Sequence, residues 1–240
     1  MRQRVNLSLV ALVVVVGLLT AAGVSACGSA SPQSHPTSQT TGAPQSAGVT
    51  QAKVRTVVTH ADFSVLYSTL QQLVSDAPIV IRGKVESISY FDHQGETFTS
   101  VGLLVTEGYK GQIKRGAKVT VVEPGGITTM AAIMRSNSDK FPELTPGPAE
   151  ENTPLEVLFG GAPLTKVGDD VVYFAFKGDI GGLTGDYYES IGAFQGKFTV
   201  SGGIARRYVP ADMASSSYGP LTTSSAALDT SIAKAVVSAQ

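Results

Sequence analysis

The sequence predicts a mainly β fold, a small and mostly antiparallel barrel or sandwich with one amphipathic helix on its N-terminal side. Three observations carry this. Five to seven short apolar runs follow one another between Pro78 and Tyr208, several with the period of two that half-buried strands require. Breaks rich in Gly, Pro and Asp separate them, among them Pro124-Gly125-Gly126, Gly168-Asp169-Asp170 and Ser201-Gly202-Gly203. Ahead of them, Ala61 to Ala77 has the three-and-four spacing of a helix.

The chain starts MRQRVNLSLVALVVVVGLLTAAGVSAC: Arg2 and Arg4, eleven uninterrupted apolar residues from Leu9 to Leu19, then small residues before Cys27. That is the three-part layout of a secretory signal, assigned to residues 1–26. Eleven helical residues rise only about 16 Å, short of the roughly 30 Å hydrocarbon core of a bilayer. A cleaved signal is therefore expected rather than a membrane span, with Arg2 and Arg4 setting its orientation.

Val24-Ser25-Ala26-Cys27 resembles the lipobox of bacterial lipoproteins, an aliphatic residue, two small residues and a cysteine. The resemblance implies acylation of Cys27 and cleavage after Ala26, so that Cys27 becomes the first residue of a membrane-tethered mature chain. Two or more acyl chains hold a protein at a bilayer where one holds it marginally, each buried methylene contributing about 0.8 kcal/mol. Cys27 is the only cysteine in the 240 residues, so an intrachain disulfide, a Cys-ligated zinc and any other cysteine nucleophile are excluded. Acylation would also remove a lone thiol from an oxidising compartment. The expected location is the cell membrane, lipid-anchored, on the extracytoplasmic face.

Residues 27–53, GSASPQSHPTSQTTGAPQSAGVTQAK after the cysteine, have almost no large apolar side chain and are expected to form a disordered tether, spanning roughly 25 to 30 Å on average. His35 lies in it and is given no role. Without residues 1–26 the chain has 214 residues and its formal charge falls by two, from −1 to −3. The charge lacks the basic excess of a nucleic-acid binder, and the length suits one domain, assigned to 54–210.

In the helical segment, Phe63, Leu66, Tyr67, Leu70, Leu73 and Val74 share a face, Asp62 favours the first turn and Pro78 stops it. Its polar face has no Lys or Arg, so it is expected to pack on its own domain rather than on a membrane. Strands follow: Ile79-Val80-Ile81 running on to Val85, Ile88 and Tyr90; Val101 to Tyr109; Lys118 to Val122; Val171 to Phe176; and a hairpin of Gly196 to Val200 with Ile204 to Tyr208. The stretch 127–161, with Pro142, Pro146, Pro148 and Pro154, is expected as an irregular piece, long for a connection and therefore either functional or disordered. Residues 211–240 read as a Ser/Ala/Thr-rich tail with a short helix near Ala226 to Val237.

The strand motifs APIVIRGKV, LLVTEGYKG, GAKVTVVEPGG, PLTKVGDDVVYFAF and GAFQGKFTV, taken in that order, resemble a group of uncharacterised exported bacterial proteins, similar in turn to OB-like barrels of the netrin or metalloproteinase-inhibitor type. The resemblance covers Ala77 to Val200 and implies an OB-like barrel. Inhibitors of that type act through an N-terminal Cys and disulfides, which this chain lacks.

Chemistry-bearing motifs are few. GAFQGKF, residues 192–198, has three residues rather than four before Gly-Lys and no Ser or Thr after it, so it is no phosphate loop. Asp92, His93 and Glu96 sit in a turn, and a metal would need further ligands from elsewhere. His60 precedes the helix; with His93 it would have to meet a Ser and a carboxylate for hydrolytic chemistry. Asp179 and Asp186 lack the spacing of an EF-hand. Tyr187, Tyr188, Phe194 and Phe198 form either a stacking platform or, as adjacent strands favour, core. No catalytic, metal-binding or cofactor-binding residue is assigned and no cofactor is expected. The expectation is a lipid-anchored, non-enzymatic binding or interaction module, bound to the membrane through acyl chains on Cys27 and to an envelope protein or small ligand, not to nucleic acid. The alternatives are an envelope hydrolase with its site under the 127–161 loop and a carrier of a small apolar ligand.

Overall fold

The computed structural model describes residues 54–59, 63–136, 151–211, 213, 214, 218 and 221–238. Eleven strands and three α-helices lie within them. β1 (Arg55–Thr59) comes first, then α1 (Leu70–Asp76), β2 (Ile79–His93), β3 (Glu96–Lys110), β4 (Lys118–Pro124), β5 (Gly126–Thr129) and α2 (Met130–Ser136). β6 (Pro154–Phe159), β7 (Asp170–Lys177) and β8 (Tyr188–Ser190) follow, then a 3₁₀ turn (Ala193–Gly196), β9 (Lys197–Ser201), β10 (Ile204–Arg207), β11 (Thr222–Ser224) and α3 (Ser225–Ser238). The fold is mainly β, as the alternation implies. No helix among the described residues is long and apolar enough to cross a membrane.

The large sheet has eight strands in the order β11-β10-β9-β7-β2-β3-β4-β8. β7 gives its first half to β9 and its last three residues to β8, with β2 on its other edge. Hydrogen bonding therefore runs β7-β2-β3-β4-β8 and back to β7, with β4–β8 parallel and its other steps antiparallel. One apolar cluster takes buried residues from four of these strands, including Ile81, Leu103, Val121 and Tyr173, and Tyr188 of β8 packs against it. A second fills the space between the β2-β7-β9 face and the helices, joining Val80, Phe174 and Phe198 to Leu73 and Val74 of α1 and Leu228 and Ile232 of α3.

Two hairpins form where turn chemistry asks for them. Gln94 and Gly95 have φ of 50° and 84°, and Gly202 and Gly203 have 57° and 76°. Two successive positive φ values in a two-residue loop match the twist of the flanking strands. Pro124-Gly125-Gly126 is a corner rather than an end. Gly125, at φ 93°, brings the backbone so close to β6 that a Cβ would lie 2.7 Å from the Val157 carbonyl oxygen, and the chain passes from β4 directly into β5.

The helix expected over 61–77 begins only at Leu70. Thr69 and Gln72 form a capping box, the Gln72 N–H donating to Thr69 Oγ1 at 3.2 Å and the Thr69 N–H to Gln72 Oε1 at 3.1 Å, and this satisfies the donors that open a helix. Residues 63–68 run outside any helix because side chains from elsewhere hold their backbone.

The stretch 127–161 is not simply an irregular loop. Its described part contains β5, α2 and β6, and β6 is the centre of a second sheet of order β1-β6-β5, parallel to β1 and antiparallel to β5. Leu155 and Val157 are buried on its inner side. Residues 137–150, with Pro142, Pro146 and Pro148, lie outside the described residues. α3 is a full fourteen residues. Asp229 ties it to the sheet, accepting from Arg82 Nη1 at 2.8 Å and from the Tyr109 hydroxyl, while Arg82 also binds Asp170 at 2.8 and 3.0 Å.

Candidate binding site around residues 192 to 197

Gly192-Ala193-Phe194-Gln195-Gly196-Lys197 joins β8 to β9 through the 3₁₀ turn. Gly192 and Ala193 are both left-handed, at φ 56° and 53°. Left-handed backbone is open to glycine, whereas at Ala193 it costs about 1–2 kcal/mol. The strained pair launches the 3₁₀ turn, which aims Phe194, Gln195 and Lys197 at three different partners.

Lys197 points to Glu123 at the end of β4. Its Nζ lies 3.0 and 3.1 Å from the two carboxylate oxygens and donates to Thr165 Oγ1 at 3.0 Å. Glu123 also accepts from the Tyr173 and Thr165 hydroxyls, each at 2.7 Å. All four residues are buried. Burial first, and then the Glu123 carboxylate, push the Tyr173 phenol well above its ordinary value, so it stays a donor. The charges cancel and both carboxylate oxygens are occupied. Such a pair adds little net stability, yet losing one member leaves a buried charge that costs about 3–5 kcal/mol.

Above the pair is a hollow rimmed by Phe159, Pro163, Leu164, Ala193 and Phe194. It has room for about one water molecule, far below the several hundred cubic ångströms of a small-molecule pocket. The hollow thus lends no support to an apolar carrier.

Phe194 joins an aromatic group. Its ring lies 5.2 Å from Phe63 and 5.7 Å from Tyr208, both edge-on, and Phe63 also meets Phe159 at 6.2 Å. Gln195, fully buried, faces the backbone of residues 65–67. Its Oε1 accepts the Tyr67 N–H at 3.0 Å and its Nε2 donates to the Val65 carbonyl at 3.2 Å. Arg207 Nη1 donates to the Tyr67 carbonyl at 2.5 Å, and its guanidinium lies 5.0 Å from the Tyr218 ring centre.

The residues weighed for chemistry are dispersed. Asp92 accepts from Thr97 Oγ1 at 2.7 Å and Thr128 Oγ1 at 2.9 Å, which fastens the small sheet to the β2–β3 hairpin. His93 Nε2 lies 2.7 Å from the Gly181 carbonyl oxygen, so that nitrogen carries the proton and donates, and Gln94 Nε2 donates to the same oxygen. Glu96 pairs with His93 across the hairpin end. Lys177 holds Asp186 at 3.1 Å in an exposed pair, and the Asp179 N–H donates to Glu189. Among the described residues, no three His, Cys, Asp or Glu side chains converge as metal ligands. Tyr187, Phe194 and Phe198 are buried in three different places, Tyr187 against Phe98 and Val122, Phe194 beside Phe63, and Phe198 against Phe174, while Tyr188 packs on the cluster built from β2, β3, β4 and β7. They make no common platform. Arg2, Arg4, Ala26, Cys27, His35 and His60 lie outside the described residues.

Sequence reasoning passed over Glu123, Thr165, Gln195 and Arg207. One signal was there for Glu123: in KVTVVEP it shares the period-two face of Val119 and Val121, a buried face on which a carboxylate needs partners. Compared with known proteins, the chain matches no family model and no curated protein.

Proposed function

We propose that the chain is a lipid-anchored protein of the extracytoplasmic membrane face, a non-enzymatic binding module on a tether of residues 27–53. The observation that carries the proposal is Val24-Ser25-Ala26-Cys27 directly after an Arg-flanked apolar run. The module itself is an OB-like barrel on this reading. Five strands with a single parallel step among antiparallel ones support it, that being the strand number of the OB fold. The polar groups around Lys197 are engaged with one another rather than offered to a substrate, Glu123 with three donors, Tyr173 as a neutral donor, Thr165 as donor and acceptor at once. His93, the histidine within the described residues, is bonded to a backbone carbonyl.

The test is a Cys27→Ser chain expressed beside the wild type, with both cultures fractionated. The wild type is expected in the membrane fraction, released by detergent and not by high salt. The variant is expected to lose that retention or to keep its signal uncleaved. A variant processed and retained like the wild type would refute lipidation at Cys27.

A further inference from the structure

We infer that the chain pairs with a second copy of itself along the free edge of β1, antiparallel and about a two-fold axis at Thr56, so that the two small sheets join into one. The edge is a property of the fold alone; the crowding of two copies in one membrane rests on the lipid-anchor reading.

The open edge follows from how β1 is held. It lies at the rim of the sheet β1-β6-β5. The Gly160 N–H donates to the Thr59 carbonyl at 2.7 Å, so the main-chain groups of Thr59 face β6. The N–H and C=O of one residue point to the same side of a strand, and the side alternates along it. Arg55 and Val57 therefore also face β6, and Val54, Thr56 and Val58 turn their donors and acceptors outward. Among the described residues, none of these three has a main-chain hydrogen bond on that side. Such a row is a ready template for another strand, and β1, RTVVT, has neither a proline nor a bulge to blunt it.

The side chains select the occupant. Val54 and Val58 share the outer face of β1 and stand 47% and 45% exposed. Directly opposite residues of an antiparallel pair lie on one face, and a two-fold axis normal to the sheet makes such a contact self-complementary. With the axis at Thr56, Thr56 meets Thr56 and each Val54 meets the Val58 of the other copy, all three through outward main-chain groups. An axis at Arg55 would instead set two guanidinium groups against each other, which is unfavourable. An axis at Val57 would leave no valine of the outer face opposite a valine. Arg55, the one charge on β1, faces Val57 of the second copy in the chosen register. Leu158 beside Val58, and Ile127 in the row of Thr56 and Glu156, extend the apolar face across the joined sheet.

A five-residue edge is short for freely diffusing molecules. Confinement to one membrane offsets this by raising the effective concentration. The two tethers enter the joint roughly 14 Å apart, within the roughly 25 to 30 Å that each spans.

The experiment uses the full-length chain in its own membranes, oxidised with copper phenanthroline and read by intact mass and by the masses of linked peptides. Opposite residues in a hydrogen-bonded pair have Cα atoms about 5.5 Å apart, a distance that a disulfide spans. Thr56→Cys should form a disulfide-linked dimer in at least about tenfold higher yield than Val58→Cys, whose two copies lie roughly 14 Å apart. Equal yields, or a disulfide from position 56 to another protein in place of a second copy, overturn the proposal. Val54→Cys/Val58→Cys, which leaves Thr56 in place, should link position 54 of one copy to position 58 of the other; links of 54 to 54 or 58 to 58 in equal amount overturn it as well. The unsubstituted chain separates the two readings: a dimer linked through Cys27 counts against the anchor alone, while the links at 54, 56 and 58 decide the edge.

Discussion

Glu123 shows what a single residue does in this fold. It ends an apolar strand on the buried face, and every donor around it, Lys197, Tyr173 and Thr165, comes from a different part of the chain. Glu123→Gln keeps the shape and removes the charge that balances Lys197. Denaturant unfolding should show a loss of about 3 kcal/mol or more, with an unchanged slope. Glu189 is the opposite case. Burial is the main cause raising its carboxyl above the ordinary 4.5. A raised folded value means that the protonated form favours folding at pH below 4.5, and that this contribution is lost as the pH rises through the folded value. Glu189→Gln, which keeps the oxygen that accepts from Asp179, should be more stable than the wild type at neutral pH, and the difference should close in acid. Parity along a strand makes Glu123 legible in the sequence as a buried charge. Its partners were not legible, because three-dimensional closure of the large sheet, not spacing, brings them together.

At the scale of elements, turn chemistry was the most readable feature. Gln94-Gly95 and Gly202-Gly203 sit where the chain reverses, and Pro78 follows the helix it stops. Helical spacing was less informative: Phe63, Leu66 and Tyr67 continue the periodicity of α1, but Thr69 starts the helix after them. Periodicity marks residues that can share a face, whereas a cap and tertiary bonds to the backbone decide whether they do. Thr69→Ala removes the acceptor of the Gln72 N–H and should cost about 1 kcal/mol, read by thermal or chemical unfolding. β1 and β6 were missed for another reason. They pair in parallel across about a hundred residues, Val57 with Val157, and nothing local in either strand announces a partner so distant. The prolines of the intervening stretch drew attention away from PLEVLF, whose alternation is plain once β6 is known. α3 belongs to the same core as the sheet despite its Ser- and Ala-rich surroundings, with Ile232 fully buried. Ile232→Ala should destabilise the whole domain by about 3 kcal/mol, whereas a helix merely appended to it would lose little.

Over the whole molecule, the β-rich architecture could be read from alternation, and the sharing of β7 by β9 and β8 that closes the hydrogen-bonded ring could not. One strand with two partners on the same edge has no sequence signature of its own. The candidate site was half visible: GAFQGKF stands out as a motif, but in the fold it aims Phe194, Gln195 and Lys197 at their separate partners. The proposed membrane attachment rests elsewhere, on the 27 residues ending at the only cysteine. The most direct measurement is intact mass and N-terminal peptide mass of the chain extracted from membranes. The account predicts a mature chain that starts at Cys27 and carries the mass of its acyl groups there. A chain with an unmodified Cys27 thiol, or one cut elsewhere, would contradict it.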